Sequence, residues 1–419
     1  MVLSRYRDFR WLFTGNSVSL LGSGVTTVAL PLTAVVYLHA STAQMGVLGA
    51  VALLPHLVLG LPAGVWVDRT SYRRVLVLAD LTQTLLLGSV PVLGVLGVLR
   101  VWQLYAVAVL AGACNLFETV TAQSFTPRLV PRQQLLPANS TLMVSRATVG
   151  TTGAALGGIL VSLLTAPVAI AADAASFLLA GLCKARIRTP GLAAVEDRPR
   201  GQLRAEIREG LRVIFGHEII RAATLASTVG ALAGQMQAVI LVLYLVRGLG
   251  LSGALVGAVI AVGGAAGIPG ALQAVRITER IGPGPAFITG MLLASSGGLV
   301  LAVASRPLVL ALVILVIAQA LRGAGPALYG VNQQTFRQAL IPPIALSRAN
   351  ATWRFLVYGM QPIGALLGGL AGSALGLRAT LIISSAAMLL GTAIAYASPL
   401  RTLRELPSQE NDTSERPAA

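Results

Sequence analysis

The chain has 419 residues, 55% hydrophobic and only 11% charged, with a mean hydropathy of +0.78 and a net charge of +16. Average soluble domains carry about 25% charged residues, so this chain is too apolar to cover the surface of a water-soluble fold of its length. Its basic residues lie in short segments between apolar runs, which removes the case for a nucleic-acid partner, and Lys184, the single lysine, follows Cys183 instead of a glycine-rich loop, which excludes ATP hydrolysis by a P-loop.

In chain order, apolar runs bounded by Arg, Pro or Gly clusters predict twelve membrane spans. They fall at 11–38, 43–67, 75–99, 102–126, 139–164 and 167–184, then at 219–246, 251–275, 284–304, 307–331, 349–375 and 377–399. Each is long enough for a hydrocarbon core that needs roughly 17–25 residues. The first run continues without an A-x-A cleavage site and predicts a retained helix, and no lipidation signal is expected at either end. Cys114 and Cys183 belong to apolar runs, and His39, His56 and His217 are scattered, so no disulfide framework, metal or cofactor is expected.

Loops on one side hold 23 Arg and Lys residues, whereas the alternate loops hold only Arg100, Arg247, Arg306 and Arg378. The positive-inside rule then predicts a multi-pass protein of the bacterial cytoplasmic (inner) membrane with both termini in the cytoplasm. Between spans six and seven, Leu203, Ile207, Leu211 and Ile214 recur at helical spacing opposite Arg204, Arg208 and Arg212. That pattern predicts an amphipathic helix at the cytoplasmic interface, or a plain linker covering helix ends. The expected organisation is a six-helix bundle at 1–184, a linker at 185–216, a second six-helix bundle at 217–400 and a disordered tail at 401–419.

The two halves repeat. Phe125, Leu129, Pro131 and Leu135 match Phe336, Leu340, Pro342 and Leu346, and Ala138-Asn139 with Thr141 match Ala349-Asn350 with Thr352, all at an offset of 211 residues. The register holds without a gap into Gly153-Ala154-Ala155-Leu156-Gly157-Gly158 and Gly364-Ala365-Leu366-Leu367-Gly368-Gly369. Repeats separated by an even number of spans share orientation, so a pseudo-two-fold axis along the membrane normal is expected. Two such bundles enclose a mid-depth cavity and can rock about it, which is a transporter architecture.

Between spans two and three stands Gly64-Val65-Trp66-Val67-Asp68-Arg69-Thr70-Ser71-Tyr72-Arg73-Arg74. This segment resembles the loop signature of the major facilitator superfamily, with Ser71 and Tyr72 in place of the usual glycine and first basic residue. Pro62-Ala63-Gly64, Leu78-Ala79-Asp80-Leu81, Leu129-Val130-Pro131, Ala138-Asn139-Ser140 and Asp173-Ala174-Ala175-Ser176-Phe177 are similar to the branch containing macrolide efflux proteins and siderophore exporters. The resemblance covers nearly the whole chain. It implies a gating role for Gly64, Asp68, Arg69, Arg73 and Arg74, with Asp68 placed at the start of span three where the helix dipole favours an anion; the plainer role of the arginines is to set topology. The run Gly150 to Gly158 resembles the superfamily's antiporter signature, with Ala154 in place of proline. Gly153, Gly157 and Gly158, and Gly364, Gly368 and Gly369 in the other half, form small-residue faces for close helix packing.

Ionisable residues inside spans are few, and each costs roughly 2.5–3.5 kcal/mol near the bilayer centre. Glu118, then Asp173, then Asp80 are candidate proton carriers; alternatively they form fixed pairs with Arg146, Arg322 or Arg354. Asn16, Asn115, Phe117, Gln235, Gln237, Tyr244, Tyr329, Asn332, Gln333 and Tyr358 are candidate lining of a substrate cavity, although aromatics at helical spacing also serve packing. The expected protein is not an enzyme. It is a monomeric secondary transporter, in contact with membrane lipid and driven by the proton gradient, that exports a bulky, largely apolar drug or natural product. A metabolite or lipid transporter of the same fold, or a non-transporting scaffold or receptor, are the alternatives.

Overall fold

The computed structural model describes residues 2–68, 70–189 and 203–405, and all regular structure among them is helical. Span one is Arg7–Leu32, continued by a π-helical turn at Thr33–Tyr37; span two is Thr42–Asp68, three Tyr72–Val95, four Val101–Leu129, five Leu135–Leu163 and six Ala166–Ala185. Span seven is Glu218–Leu243, continued by a π-helical turn at Tyr244–Gly248; span eight is Gly253–Ile281, nine Pro283–Val303, ten Leu308–Leu340, eleven Pro343–Ala374 and twelve Leu377–Tyr396. Among the described residues eleven of these helices are long and apolar enough to cross a membrane. The remaining one, span five, is a 29-residue helix whose described apolar stretch is Thr152–Leu163. Helices are the form that satisfies every backbone donor and acceptor without water.

The repeat extends beyond the segments in which sequence identity reveals it. Adding 211 to the bounds of Arg7–Leu32, Thr33–Tyr37 and Ala166–Ala185 gives Glu218–Leu243, Tyr244–Gly248 and Leu377–Tyr396, with no slip. The π-helical turn after Pro31 therefore recurs where the repeat position is Val242, so proline is not its cause. Each turn is tied instead to the end of a neighbouring span: Tyr37 Oη donates to Gly94 O at 2.6 Å and Tyr244 Oη to Ala304 O at 2.7 Å.

Helix packing orders eight spans into a ring, two, four, one, five, eight, ten, seven, eleven and back to two. Spans three and six pack outside four and one, and spans nine and twelve outside ten and seven. Two seams join the halves, and each is a crossing of glycines. A Cβ on Gly158 of span five would lie 2.7 Å from Gly257 Cα of span eight, and one on Gly369 of span eleven would lie 2.6 Å from Gly46 Cα of span two. These seams are the same contact repeated at the 211-residue offset. Within each half, Gly153 and Gly157 lie against Leu21, Gly24 and Val25, as Gly364 and Gly368 lie against Leu232 and Met236.

The two ends of the bundle differ. At the Arg-poor end one apolar cluster draws on both halves, including Val28, Leu32, Leu104, Leu243, Leu245 and Leu315. Arg247 crosses between the halves there, Nη2 donating to Ala40 O at 2.8 Å. At the Arg-rich end the clusters are separate, one built on Phe9, Tyr72 and Phe125 and the others on Phe287, Phe336, Ile214 and Ile341. The halves are thus packed shut at the Arg-poor end.

The linker helix is Leu203–Gly216 and it docks on span eleven. Ile214 is fully buried among Ile341, Ala345 and Ala349, Gly210 abuts Thr352 and Arg348, and the Glu209 carboxylate pairs with Arg348. The face docked on span eleven therefore runs through Gly210 and Ile214, whereas Leu211 of the expected apolar stripe is 36% exposed. The side chains of Leu203 and Ile207, residues 190–202 and the tail from 406 lie outside the described residues.

Gly158→Val and Gly369→Val should each destabilise the detergent-solubilised protein by about 1–3 kcal/mol, the ordinary cost of overpacking. Thermal unfolding reads this out, and Gly60→Ala and Gly330→Ala, whose added methyl meets nothing within 4 Å, should not lower the midpoint.

Candidate transport site

Two clefts open among the helices, with cavity volumes of about 80 Å³ in the first half and about 190 Å³ in the second. Asn16, Ser19, Leu20, Ser23, Asn115, Glu118, Arg146 and Phe177 line the first; Gly230, Ala231, Gly234, Gln235, Gln237, Arg322, Pro326, Tyr329 and Met388 line the second. The pairs Ser19 and Gly230, Leu20 and Ala231, Ser23 and Gly234, Asn115 and Pro326, Glu118 and Tyr329, and Phe177 and Met388 are each separated by 211 residues. The clefts are one site duplicated, with different chemistry in each copy.

Behind the first cleft lies a buried ion cluster. Lys184 Nζ donates to Asp80 Oδ1 at 3.0 Å and to Glu118 Oε1 at 2.6 Å, and Gln83 Nε2 reaches Glu118 Oε2 at 3.4 Å. Spans three, four and six supply the ions, and span one supplies Gly15, on which a Cβ would lie 3.2 Å from Lys184 Cγ. Lys184 sits in the last turn of span six, where the helix carbonyl end favours a cation. The side chains of Asp80 and Lys184 are fully buried, while Glu118 keeps 12% exposure and lines the cleft.

Two carboxylates on one ammonium leave one excess negative charge when all three are ionised. Asp80 Oδ2 is buried without a hydrogen-bond partner. In a low-dielectric interior an uncompensated charge costs far more than in water, and binding of one proton makes the cluster neutral. The repeat positions of Gly15, Asp80, Glu118 and Lys184 are Ala226, Met291, Tyr329 and Ala395, which share an apolar cluster with Phe287. The ionic arrangement exists in the first half alone.

Several sequence-based expectations are corrected by these contacts. Asp80 and Glu118 pair with Lys184, and among the described residues no ion pair joins Arg146, Arg322 or Arg354 to a carboxylate. Arg146 and Arg322 line the two clefts, and Arg354 is exposed. Lys184, grouped with the linker arginines by its place in the sequence, is a membrane residue. Its signal is the spacing from Ile170 through Asp173, Phe177 and Ala180 to Lys184, which puts a lysine on the buried face of span six. Asp173 is buried and accepts from Ser176 Oγ at 3.1 Å, next to Gly22 of span one.

Asp68 is the last residue of span two, and span three begins at Tyr72, so Asp68 does not start span three. Arg73 and Arg74 are exposed in the first turn of span three; Arg69 and the side chains of Gly64 and Asp68 lie outside the described residues. Of the expected cavity residues, Asn16 and Asn115 reach the first cleft, and Gln235, Gln237 and Tyr329 the second. Others are engaged in packing: Phe117 stacks on Trp66, Tyr244 bonds Ala304 O, Asn332 meets Thr278, Gln333 donates to Ser227, and Tyr358 stands edge-on to Trp353. Polar lining also comes from Ser17, Ser145 and Gln361, which the sequence did not single out; Ser17 and Ser145 meet across spans one and five at 2.7 Å, a proximity that only the fold creates. Asp8 also went unread; it accepts from Thr189 Oγ1 at 2.6 Å and from the amides of Arg188 and Thr189, fastening the start of span one to the end of span six. Among the described residues no group of His, Cys, Asp and Glu has the arrangement of a metal site.

Comparison with known proteins matches residues 4–418 to the family model described as transmembrane secretion effector, of the major facilitator superfamily. The multidrug efflux pump Tap of Mycolicibacterium fortuitum is 27% identical over 393 residues, 92% of this chain and 93% of that one. Macrolide efflux protein A of Streptococcus pyogenes is 25% identical over 223 residues, 52% of this chain, and the match spans about half of that protein's length (54%). Among solved structures, a bacterial homologue of the human lysosomal transporter Spinster superposes with a TM-score of 0.73 at 16% identity, covering 97% of this chain and 99% of its own. A bacterial homologue of the iron transporter ferroportin gives 0.75 at 15% identity, covering 93% and 98%. These structural likenesses fix the fold, and with the family match across nearly the whole length the chain belongs to the transmembrane secretion effector family of major facilitator transporters.

Proposed function

We propose that the protein exports a bulky, largely apolar drug or natural product by alternating access, in exchange for protons. The observation that carries the reading is Glu118, whose carboxylate is held by Lys184 on one side and lines the first cleft on the other. The efflux activities named for the macrolide and multidrug relatives support the direction and the cargo class.

With the Arg-rich loops in the cytoplasm, the end packed shut by the shared apolar cluster and Arg247 is the outer one, and cargo enters from the cytoplasm. The glycine crossings at Gly158 with Gly257 and Gly46 with Gly369 are the narrow contacts about which the halves rock. A proton bound at the cluster removes its excess negative charge and weakens the hold of Lys184 on Glu118. Its loss restores the charge and the paired geometry. One charge moving through 100 mV supplies about 2.3 kcal/mol, enough for cargo to be concentrated severalfold to several tens of fold.

Accumulation of fluorescent antibiotics in a pump-deficient bacterial host tests the reading. Wild type should lower accumulation, an uncoupler should restore it, and Glu118→Gln should behave like empty vector while reaching the membrane in normal amount. Unchanged accumulation across a broad antibiotic panel would sink the drug-export reading in favour of a metabolite or lipid cargo. Stability separates the ions further. Asp80→Asn leaves a neutral Lys184–Glu118 pair and should be tolerated, whereas Lys184→Met strands two carboxylates and should cost about 3–5 kcal/mol. Adding Asp80→Asn and Glu118→Gln to Lys184→Met should recover most of that loss in thermal unfolding.

A further inference from the structure

Arg322 stands near the middle of the 33-residue helix Leu308–Leu340, the depth at which a charge is most expensive. At that depth its half has nothing to neutralise it: between 217 and 400 the sequence contains two carboxylates, Glu218 in the first turn of span seven and Glu279 in the last turn of span eight, both at the Arg-rich end. In the first half, Asp80 and Glu118 are held by Lys184 and Asp173 by Ser176. Nor does the fold demand an ion here, since the repeat position is Ala111.

The guanidinium is nevertheless built in. Gly297 makes room for its stem, a Cβ there lying 2.7 Å from Arg322 Cγ. Nη1 donates to Gln319 Oε1 at 2.6 Å, and Gln319 is itself held, its Nε2 donating to Val259 O at 3.2 Å. One neutral acceptor thus orients a five-donor fork that lines the second cleft beside Gln235, Tyr329 and Gln361. A planar, pre-oriented guanidinium without a counter-ion is matched by a carboxylate, which accepts two parallel hydrogen bonds from it.

We propose that the second cleft is a subsite for a carboxylate on the cargo, held by Arg322 and positioned by Gln319. The assignment rests on the export reading for the word cargo, and gives that cargo a chemistry, an apolar body bearing one acidic group. The first cleft, with Glu118 in the place of Tyr329, is where protons exchange; the second is where the acid of the cargo docks.

The test is equilibrium binding to the full chain in lipid nanodiscs, without a gradient, of dansyl-aminoundecanoic acid and its carboxamide, which differ in the charged group alone. Wild type should bind the acid about tenfold or more tighter than the amide, the scale of a charge-assisted pair. Arg322→Gln should erase the preference while leaving amide binding in place, Arg322→Lys should retain part of it, and Glu118→Gln should keep it. Gly234→Leu, whose Cβ points into open space in the cleft, should remove the preference by filling the subsite without touching a charge. Equal binding of acid and amide by wild type would overturn the proposal, and so would a preference that survives either Arg322→Gln or Gly234→Leu. Because no gradient is applied, a failure of proton-driven export leaves these outcomes readable, and a lost subsite with export intact refutes the subsite alone.

Discussion

A hydrocarbon core holds no water, so a charge placed in it must meet its opposite inside the protein, in a bound proton or in a ligand. The first half resolves this constraint with its own residues. Lys184 draws Asp80 and Glu118 together from two other helices, and the remaining excess negative charge is small enough for one proton to cancel. The second half does not resolve it, because Arg322 shares its helices with no carboxylate at that depth. Charge accounting therefore separates a self-contained ionic site from one that is complete only with something added.

The duplication makes this contrast interpretable. Helix bounds, π-helical turns, glycine seams and cleft positions all repeat at the same offset, so the two halves offer the same geometry to different side chains. Where the geometry is kept and the chemistry changes, packing alone does not account for the residue. Met291, Tyr329 and Ala395 show that the fold is satisfied by an apolar filling at the positions of Asp80, Glu118 and Lys184. The ionic cluster is thus an addition to a fold that stands without it.

Much of this fold was legible in the sequence. The spans, the half-chain repeat and the glycine faces follow from apolar run length and small-residue spacing, which depend on local composition, and Glu118 stood out as the deepest acid. The ion partner did not, because Lys184 adjoins the arginines of the linker and a count of loop charges absorbs it; only its place on the buried face of span six marks it as internal. Asp68 was misplaced by a few residues, which was enough to reverse the helix end it occupies. The ends of helices and the partners of buried ions depend on three-dimensional neighbours, and one chain read in order does not contain them. The linker helix shows the same limit, since the close approach of Gly210 to Thr352 and Arg348 of span eleven is set by the tertiary packing.

The arrangement also bears on how two clefts can act as one machine. The ring closes through two glycine crossings, and the cluster ties spans three, four and six together, so that in the proposed rocking each half would move as a packed body. Span four belongs to the ring and spans three and six lie outside it, which places the ions between the wall of the cavity and its outer support. Loosening Lys184 from Glu118 would therefore alter how span four leans on its support, and span four packs on span two, which forms one of the seams. On the proposed proton exchange, a change in the first half would reach the boundary with the second through these helix contacts, without any need for the cargo to touch Glu118. Coupling in such a design depends on the seam staying narrow: glycine at Gly46 and Gly369 permits the close approach that lets a small shift of span two register on span eleven and, through it, on span seven beside the second cleft.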